Sequence, residues 1–202
     1  IFEIEKWEYE NFKSLSQDHE VQYVFETLSK DNVEQFKDAD IISTFIYSKV
    51  DREVLEKFNH LKFISTRSTG VDHIDVQYCN EKGILISNVP VYGENTVAEH
   101  VFALLLTISH QMYEAIDRTK KGDFSIHGLR GFDLKGKTLG VIGAGSIGVH
   151  VMKMAKGFGM EILAYDVNEN HILKEILDFQ YTDLDGLLAN SDIITLHCPY
   201  NK

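Results

Sequence analysis

Thr138-Leu-Gly-Val-Ile-Gly-Ala-Gly-Ser-Ile-Gly148 runs as an apolar strand into a glycine-rich turn and the start of a helix, and a second apolar run downstream closes on Asp166. Each piece has a physical task in holding a dinucleotide. Gly143 permits the tight turn out of the strand, Gly145 removes a Cβ that would strike a pyrophosphate, and Gly148 lets the helix pack closely on the sheet. The phosphates then rest on the N–H groups at the positive end of the helix, where Ser146 and Ile147 offer backbone donors whatever their side chains. Asp166 is placed to accept hydrogen bonds from the adenosine ribose hydroxyls. The segment Asp166-Val-Asn-Glu-Asn170 holds no Arg or Lys, so a 2′-phosphate there meets a carboxylate and no cation, which favours NAD over NADP. The plain alternative is a βαβ unit whose glycine turn holds no ligand.

Working outward, 202 residues leave room for one large domain or two small ones. The formal charge of −11 and the shortness of the basic stretches, such as Lys135-Gly-Lys137, argue against binding nucleic acid through its phosphates. Cys79 and Cys198 lie far apart without metal-ligand spacing, so neither a zinc site nor a disulfide framework is expected, and reduced thiols of a cytoplasmic protein are the default. The longest apolar run, 101–108, is too short to span a bilayer.

Upstream, short apolar runs at 2–4, 22–25, 41–45, 63–65 and 84–86 read as buried strands. The stretches 9–15, 33–36 and 52–58 between them read as helices. That alternation predicts a parallel sheet covered on both faces, an α/β layer. Thr96-Val-Ala-Glu99 has capping-box spacing, with Asn95 as an alternative cap, and predicts one helix running to about Lys121. From Val101 to Leu106 this helix is apolar all round, so it must be covered on several sides, by a second domain or a partner subunit; a homodimer is the expected use. After the turn the pattern predicts a helix over 146–158, strands at 161–165, 180–182 and 193–197, and a helix over 183–189.

Taken together the motifs resemble the D-isomer-specific 2-hydroxyacid dehydrogenases, in particular the branch holding the D-lactate and D-2-hydroxyisocaproate enzymes. The resemblance is carried by Arg67-Ser-Thr-Gly-Val-Asp-His-Ile-Asp75, by Asn88-Val-Pro-Val-Tyr-Gly93 with Val97-Ala-Glu-His100, by Phe132-Asp-Leu-Lys-Gly-Lys-Thr138 running into the glycine turn, and by Ser191-Asp-Ile-Ile-Thr-Leu-His-Cys-Pro199. They stand in the family's order and spacing. The resemblance implies a flavodoxin-like substrate domain over about 1–94 and the N-terminal part of a Rossmann coenzyme domain over 95–202, with the long helix helping to form a dimer. It implies NAD as cofactor and a small 2-hydroxy or 2-keto acid as substrate. It also implies that the family's catalytic arginine, glutamate and histidine lie beyond Lys202, together with the last strands of the coenzyme sheet, and that a few residues are lacking at the start. No catalytic residue is therefore expected within 1–202, and this stretch alone is not expected to turn over.

Of the residues present, Tyr92 matches a tyrosine that points its phenol at the substrate carboxylate, or it is a half-buried loop tyrosine. Thr69 and Gly70 match a turn whose N–H groups hold that carboxylate; alternatively the glycine relieves a turn of positive φ. His197, Cys198 and Pro199 fall at the C-terminal end of a strand, where ligands bind in open α/β sheets, and by resemblance line the adenosine side. For His197 the alternative is a solvent-facing strand-end histidine. His100 lies on the long helix next to Glu99 and reads as a structural hydrogen-bonder, His73, His127 and His171 have no partner recognisable in sequence, and none of the four receives a catalytic role. Two other readings stand beside the enzyme: a non-catalytic NAD-sensing corepressor on the same fold, and an interaction protein.

Overall fold

A computed structural model describes residues 1–198. The chain divides into two units, Ile1–Tyr92 and Gly93 onward.

The first unit carries α1 (Tyr9–Phe12), β1 (Ile41–Thr44), α2 (Arg52–Leu55), β2 (Phe63–Thr66), α3 (Val76–Lys82) and β3 (Leu85–Ser87). Its three strands are parallel in the order β1-β2-β3, with Ile42 beside Ile64 and Thr44 beside Thr66. Alternation along a strand puts residues i and i+2 on one face, so the buried face of β1 and β2 begins apolar and turns hydroxylic at its C-terminal end. Ile42 and Ile64 join Leu28, Val33, Val50, Val54 and Leu55 in the core. Burying one such isoleucine contributes about 2–3 kcal/mol.

The expected strands at 2–4 and 22–25 form extended hydrogen-bonded segments instead of regular ladders. Phe2 N donates to Ser43 O and Val24 N to Ile1 O, but Glu3 sits at φ 54° and breaks the pleat. The left-handed turn aims the Glu3 carboxylate at the loop after β1, where it accepts from the N–H groups of Phe45 (3.0 Å), Tyr47 (2.7 Å) and Ser48 (3.1 Å) and from the Ser48 hydroxyl. The helices expected at 9–15, 33–36 and 52–58 are shorter: α1 continues as a 3₁₀ turn, 33–35 is 3₁₀ throughout, and α2 has one turn. Helix α3, not expected from the pattern, is defined by its ends: Asp75 accepts from Tyr78 N (2.9 Å) and Gly83 stops it at φ 71°.

The second unit holds α4 (Glu94–Ser109), α5 (Met112–Lys120), β4 (Thr138–Ile142), α6 (Ser146–Gly157), β5 (Glu161–Tyr165), α7 (His171–Leu177), β6 (Gln180–Tyr181), α8 (Leu184–Asn190) and β7 (Ile193–Leu196). All strand pairings are parallel, in the order β6-β5-β4-β7. Counted from β4 this is 3-2-1-4, the opening of the doubly wound dinucleotide order. Leu139, Val141, Val151, Met152, Ala155, Ile162 and Ala164 form the core, with Ala98 and Phe102 of α4 joining it. Helix α7 was also not anticipated; Asn170 caps it by accepting from Leu173 N (3.0 Å).

The single helix expected to Lys121 is corrected to two. Gln111 adopts φ 52° and separates α4 from α5. The break has a cause downstream: Phe132 N donates to Ser109 O at 2.9 Å, and a Cβ on Gly131 would overlap that same carbonyl, so the returning chain seals the end of α4. The expected capping box is corrected too. Gly93 is the N-cap and no side chain caps the helix; Thr96 already lies inside it, and Asn95 instead donates to the Glu99 carboxylate. Only Ala98, Phe102 and Ser109 of α4 are buried, so the stretch that is apolar all round is covered on one side within this unit.

Candidate functional site

The glycine turn lies at the C-terminal ends of β4 and β7. The strand order reverses about β4, with β5 and β6 on one side and β7 on the other, the place where open α/β sheets leave a ligand crevice. Gly143 turns the chain at φ +96°, and a Cβ there would come within 2.7–2.9 Å of the His197 carbonyl and the Cys198 N. A Cβ on Gly148 would overlap the Gly143 carbonyl oxygen. A Cβ on Gly145, by contrast, would meet nothing within 4 Å. The first and third glycines are thus required by the protein's own packing, while the second faces open space at the N-terminus of α6. The first bond at that end runs from Val149 N to Gly145 O. The N–H groups of Ser146 and Ile147 find no acceptor among the described residues. The arrangement is a positive helix end with an uncovered approach, suited to a phosphate.

Asp166 follows β5 and reaches back to this turn. Its Oδ2 accepts from Ala144 N at 2.7 Å and its Oδ1 from Asn168 N at 2.9 Å. Sequence reading gave Asp166 a ligand-facing task only; the carboxylate also fixes the turn. A carboxylate offers about four acceptor positions, so two remain for a ribose diol.

His197 N donates to Ile142 O (2.7 Å), and its ring Nε2 lies 2.9 Å from Thr195 Oγ1. The ring is half-buried, and that burial lowers its pKa, which favours neutral imidazole. It is not the freely solvated strand-end histidine weighed as the alternative. Cys198 is exposed and carries a free thiol. Pro199 lies outside the described residues.

In the first unit, Thr69, Gly70 and Tyr92 occupy two stitched loops following β2 and β3. Asn88 Nδ2 donates to Thr69 O (2.8 Å), Thr69 Oγ1 to Val89 O (2.9 Å), and Val89 N to Ser68 O (3.0 Å). The N–H groups of Thr69, Gly70 and Val71 have no acceptor among the described residues, an arrangement able to receive a small anion. Gly70 is not among the glycines of positive φ, so relief of such a turn does not explain it. Tyr92 is 62% exposed, more open than a half-buried loop residue.

Sequence reading missed the layer beneath. Thr44, Thr66 and Ser68 are buried hydroxyls, and His73, which had no recognisable partner, touches two of them. Its Nε2 lies 3.3 Å from Thr66 Oγ1 and 3.5 Å from Thr44 Oγ1. The available signal was the in-phase Thr44 and Thr66 at the ends of two apolar strands.

The family model for the D-isomer specific 2-hydroxyacid dehydrogenase catalytic domain matches residues 2–183. A 2-hydroxyacid dehydrogenase homolog of Haemophilus influenzae is 41% identical over 174 residues, covering 85% of this chain and 52% of its own length. D-lactate dehydrogenase of Escherichia coli is 39% identical over 160 residues, 78% of this chain and 48% of its own. The structure of D-lactate dehydrogenase from Aquifex aeolicus, complexed with NAD and lactic acid, superposes with a TM-score of 0.91 at 40% identity, over 99% of this chain and 60% of that one. The chain thus spans about half the length of the curated relatives it matches.

Proposed function

The chain belongs to the D-isomer specific 2-hydroxyacid dehydrogenases, and from that membership we propose that the protein is an NAD-dependent oxidoreductase interconverting a 2-keto acid such as pyruvate and its D-2-hydroxy acid. In this reading residues 1–94 are the N-terminal portion of a flavodoxin-like substrate domain, and 95–202 the first part of a Rossmann coenzyme domain. The observation that carries it is the contrast within one turn: no room for a Cβ at Gly143 and Gly148, open space at Gly145. Packing alone accounts for two glycines; the other is accounted for by a ligand.

Bound NAD supplies the hydride acceptor and donor. Gly145, Ser146 and Ile147 present backbone N–H groups to the pyrophosphate, and Asp166 takes the ribose diol with its two unused acceptor positions. A carboxylate there, with no Arg or Lys over 166–170, supports NAD over NADP. His197 and Cys198 wall the adenosine side. Thr69 and Gly70 hold the substrate carboxylate on backbone N–H groups, and Tyr92 adds its phenol. The proton-transfer residues are assigned outside 1–202, by the resemblance. A homodimer through α4 and α5 is supported by Leu104, Ile108, Met112 and Ile116, exposed at four-residue spacing across the helix break. The acidic charge supports neither nucleic acid nor an anionic membrane as partner, and the free thiols of Cys79 and Cys198 suit a cytoplasmic setting.

The test is NADH oxidation by the whole protein with pyruvate, 4-methyl-2-oxopentanoate and phenylpyruvate, beside NADH and NADPH titrations. Turnover of one acceptor and tighter NADH are expected. Tight NADH binding with no acceptor reduced would overturn the enzyme and leave the dinucleotide-sensing protein.

A further inference from the structure

Beneath the Thr69–Val71 loop the hydrogen bonds have a direction that the proton count fixes. Ser68 Oγ donates its one proton to Gly70 O at 2.7 Å. The contact between Thr66 Oγ1 and Ser68 Oγ, 2.6 Å, must then be made with the Thr66 proton, since Ser68 has none left. The Phe45 carbonyl, 3.3 Å from Thr66 Oγ1, is the weaker acceptor. Thr66 Oγ1 is left to accept, and His73 Nε2, 3.3 Å away, donates to it in the Nε2–H tautomer, with Thr44 Oγ1 the longer contact at 3.5 Å. The order runs His73 Nε2–H to Thr66 to Ser68 to the Gly70 carbonyl, each donor polarised by the one before.

The chain ends on the peptide that matters. With the Gly70 carbonyl drawn inward, the trans peptide turns the Val71 N–H the opposite way, and the N–H groups of Thr69, Gly70 and Val71 find no acceptor among the described residues. The other end is anchored as firmly: His73 O accepts from Val50 N (2.9 Å) and Asp75 N donates to Val50 O (3.0 Å). Burial holds the His73 pKa below its ordinary value, against the opposing pull of Glu3 and Asp72. Thr66 and Ser68 are 1% and 2% exposed, so water does not compete for the middle of the chain.

We infer that His73, Thr66 and Ser68 are positioning residues that lock the Thr69–Val71 loop in the shape that receives the substrate carboxylate. The inference rests on the 2-keto acid reading of that loop. It assigns work to three side chains that do not touch substrate.

The isosteric Thr66→Val removes the hydroxyl and keeps the volume, while Thr66→Ser keeps the hydroxyl and loses a methyl. In the whole protein Thr66→Val should raise KM for the 2-keto acid roughly fivefold, the worth of a buried hydrogen bond. It should leave kcat and the dissociation constant of NADH near wild type. Thr66→Ser should restore KM even though the lost methyl lowers its Tm. A wild-type KM in Thr66→Val, or a KM that simply follows Tm across both variants, overturns the inference. The backbone amide signals of Gly70 and Val71 give a readout independent of turnover. They should move in Thr66→Val and return in Thr66→Ser, and signals superposing on wild type in Thr66→Val also overturn it. A wild-type protein that reduces no 2-keto acid would instead overturn the proposed function, while the amide signals would still decide whether the chain shapes the loop.

Discussion

The molecule offers two loops of free N–H groups at the C-terminal ends of parallel strands, and they are built in opposite ways. The turn at 143–148 owes its shape to side chains that are missing: two glycines packed against backbone, one open to a ligand, and a helix whose first turn has donors to spare. The loop at 69–71 owes its shape to side chains that are present, a buried file of hydroxyls ending on an imidazole. A site made by subtraction tolerates no addition, whereas a site made by support is weakened one hydrogen bond at a time. Substitutions in the first should therefore be abrupt and in the second graded.

The largest effect is expected at Gly148. Gly148→Ala forces a Cβ onto the Gly143 carbonyl and should cost about 3 kcal/mol, at the upper end of overpacking, seen as a lower urea midpoint together with loss of NADH binding. Gly145→Ala is its control. With nothing within 4 Å of the new Cβ, stability should stay within about 0.5 kcal/mol while NADH affinity drops. If both variants lose stability equally, the division of labour within the turn is wrong.

Glu3 supports the loop after β1 much as Ser68 supports the loop after β2. Burial works against its charge, yet hydrogen bonds from Ser48, Phe45 and Tyr47 outweigh this and hold its pKa below the ordinary value. A group depressed in the folded state stabilises the fold above its unfolded pKa, and the contribution is lost as pH falls through the folded one. Glu3→Gln should thus cost about 2 kcal/mol at neutral pH, the scale of charge-assisted bonds. It should also flatten the acid limb of the unfolding curve; an unchanged limb would remove Glu3 from the support.

Asp166→Ala comes next. Losing the ribose acceptor and the tie to Ala144 should weaken NADH about tenfold, and NADPH by less, because a repulsive charge goes too. Equal losses in parallel titrations would sink the ribose assignment. The smallest effect belongs to Tyr92→Phe. KM for the 2-keto acid should rise about threefold, with Tm and NADH affinity unchanged because Tyr92 is exposed. A clear loss of NADH affinity would move Tyr92 to the cofactor side.

The same contrast explains what could be read from sequence. Glycines at 143, 145 and 148 are legible because a missing Cβ is a property of the residue itself, and the ends of β4 and β5 follow from apolar runs bounded by polar residues. His73 was opaque because its partners Thr44 and Thr66 come from two different strands, and only parallel registry brings them together. Helices α3 and α7 escaped a reading that followed apolar periodicity, although their caps Asp75 and Asn170 signal their starts. The break at Gln111 was hidden for the same reason as His73: it answers to residues 131–132, not to its neighbours.

That last contact also sets a clock. Ser109 closes α4 in sequence, but its carbonyl receives its N–H from Phe132, which leaves the ribosome later by the whole stretch 110–131. At ordinary elongation rates that gap is roughly one to five seconds, far longer than a helix needs to form. Until the segment leading into β4 arrives, the Ser109 carbonyl, one of the last four of its helix, is left to water. The helix that opens the second unit is thus sealed by the segment that leads into the first strand of its sheet.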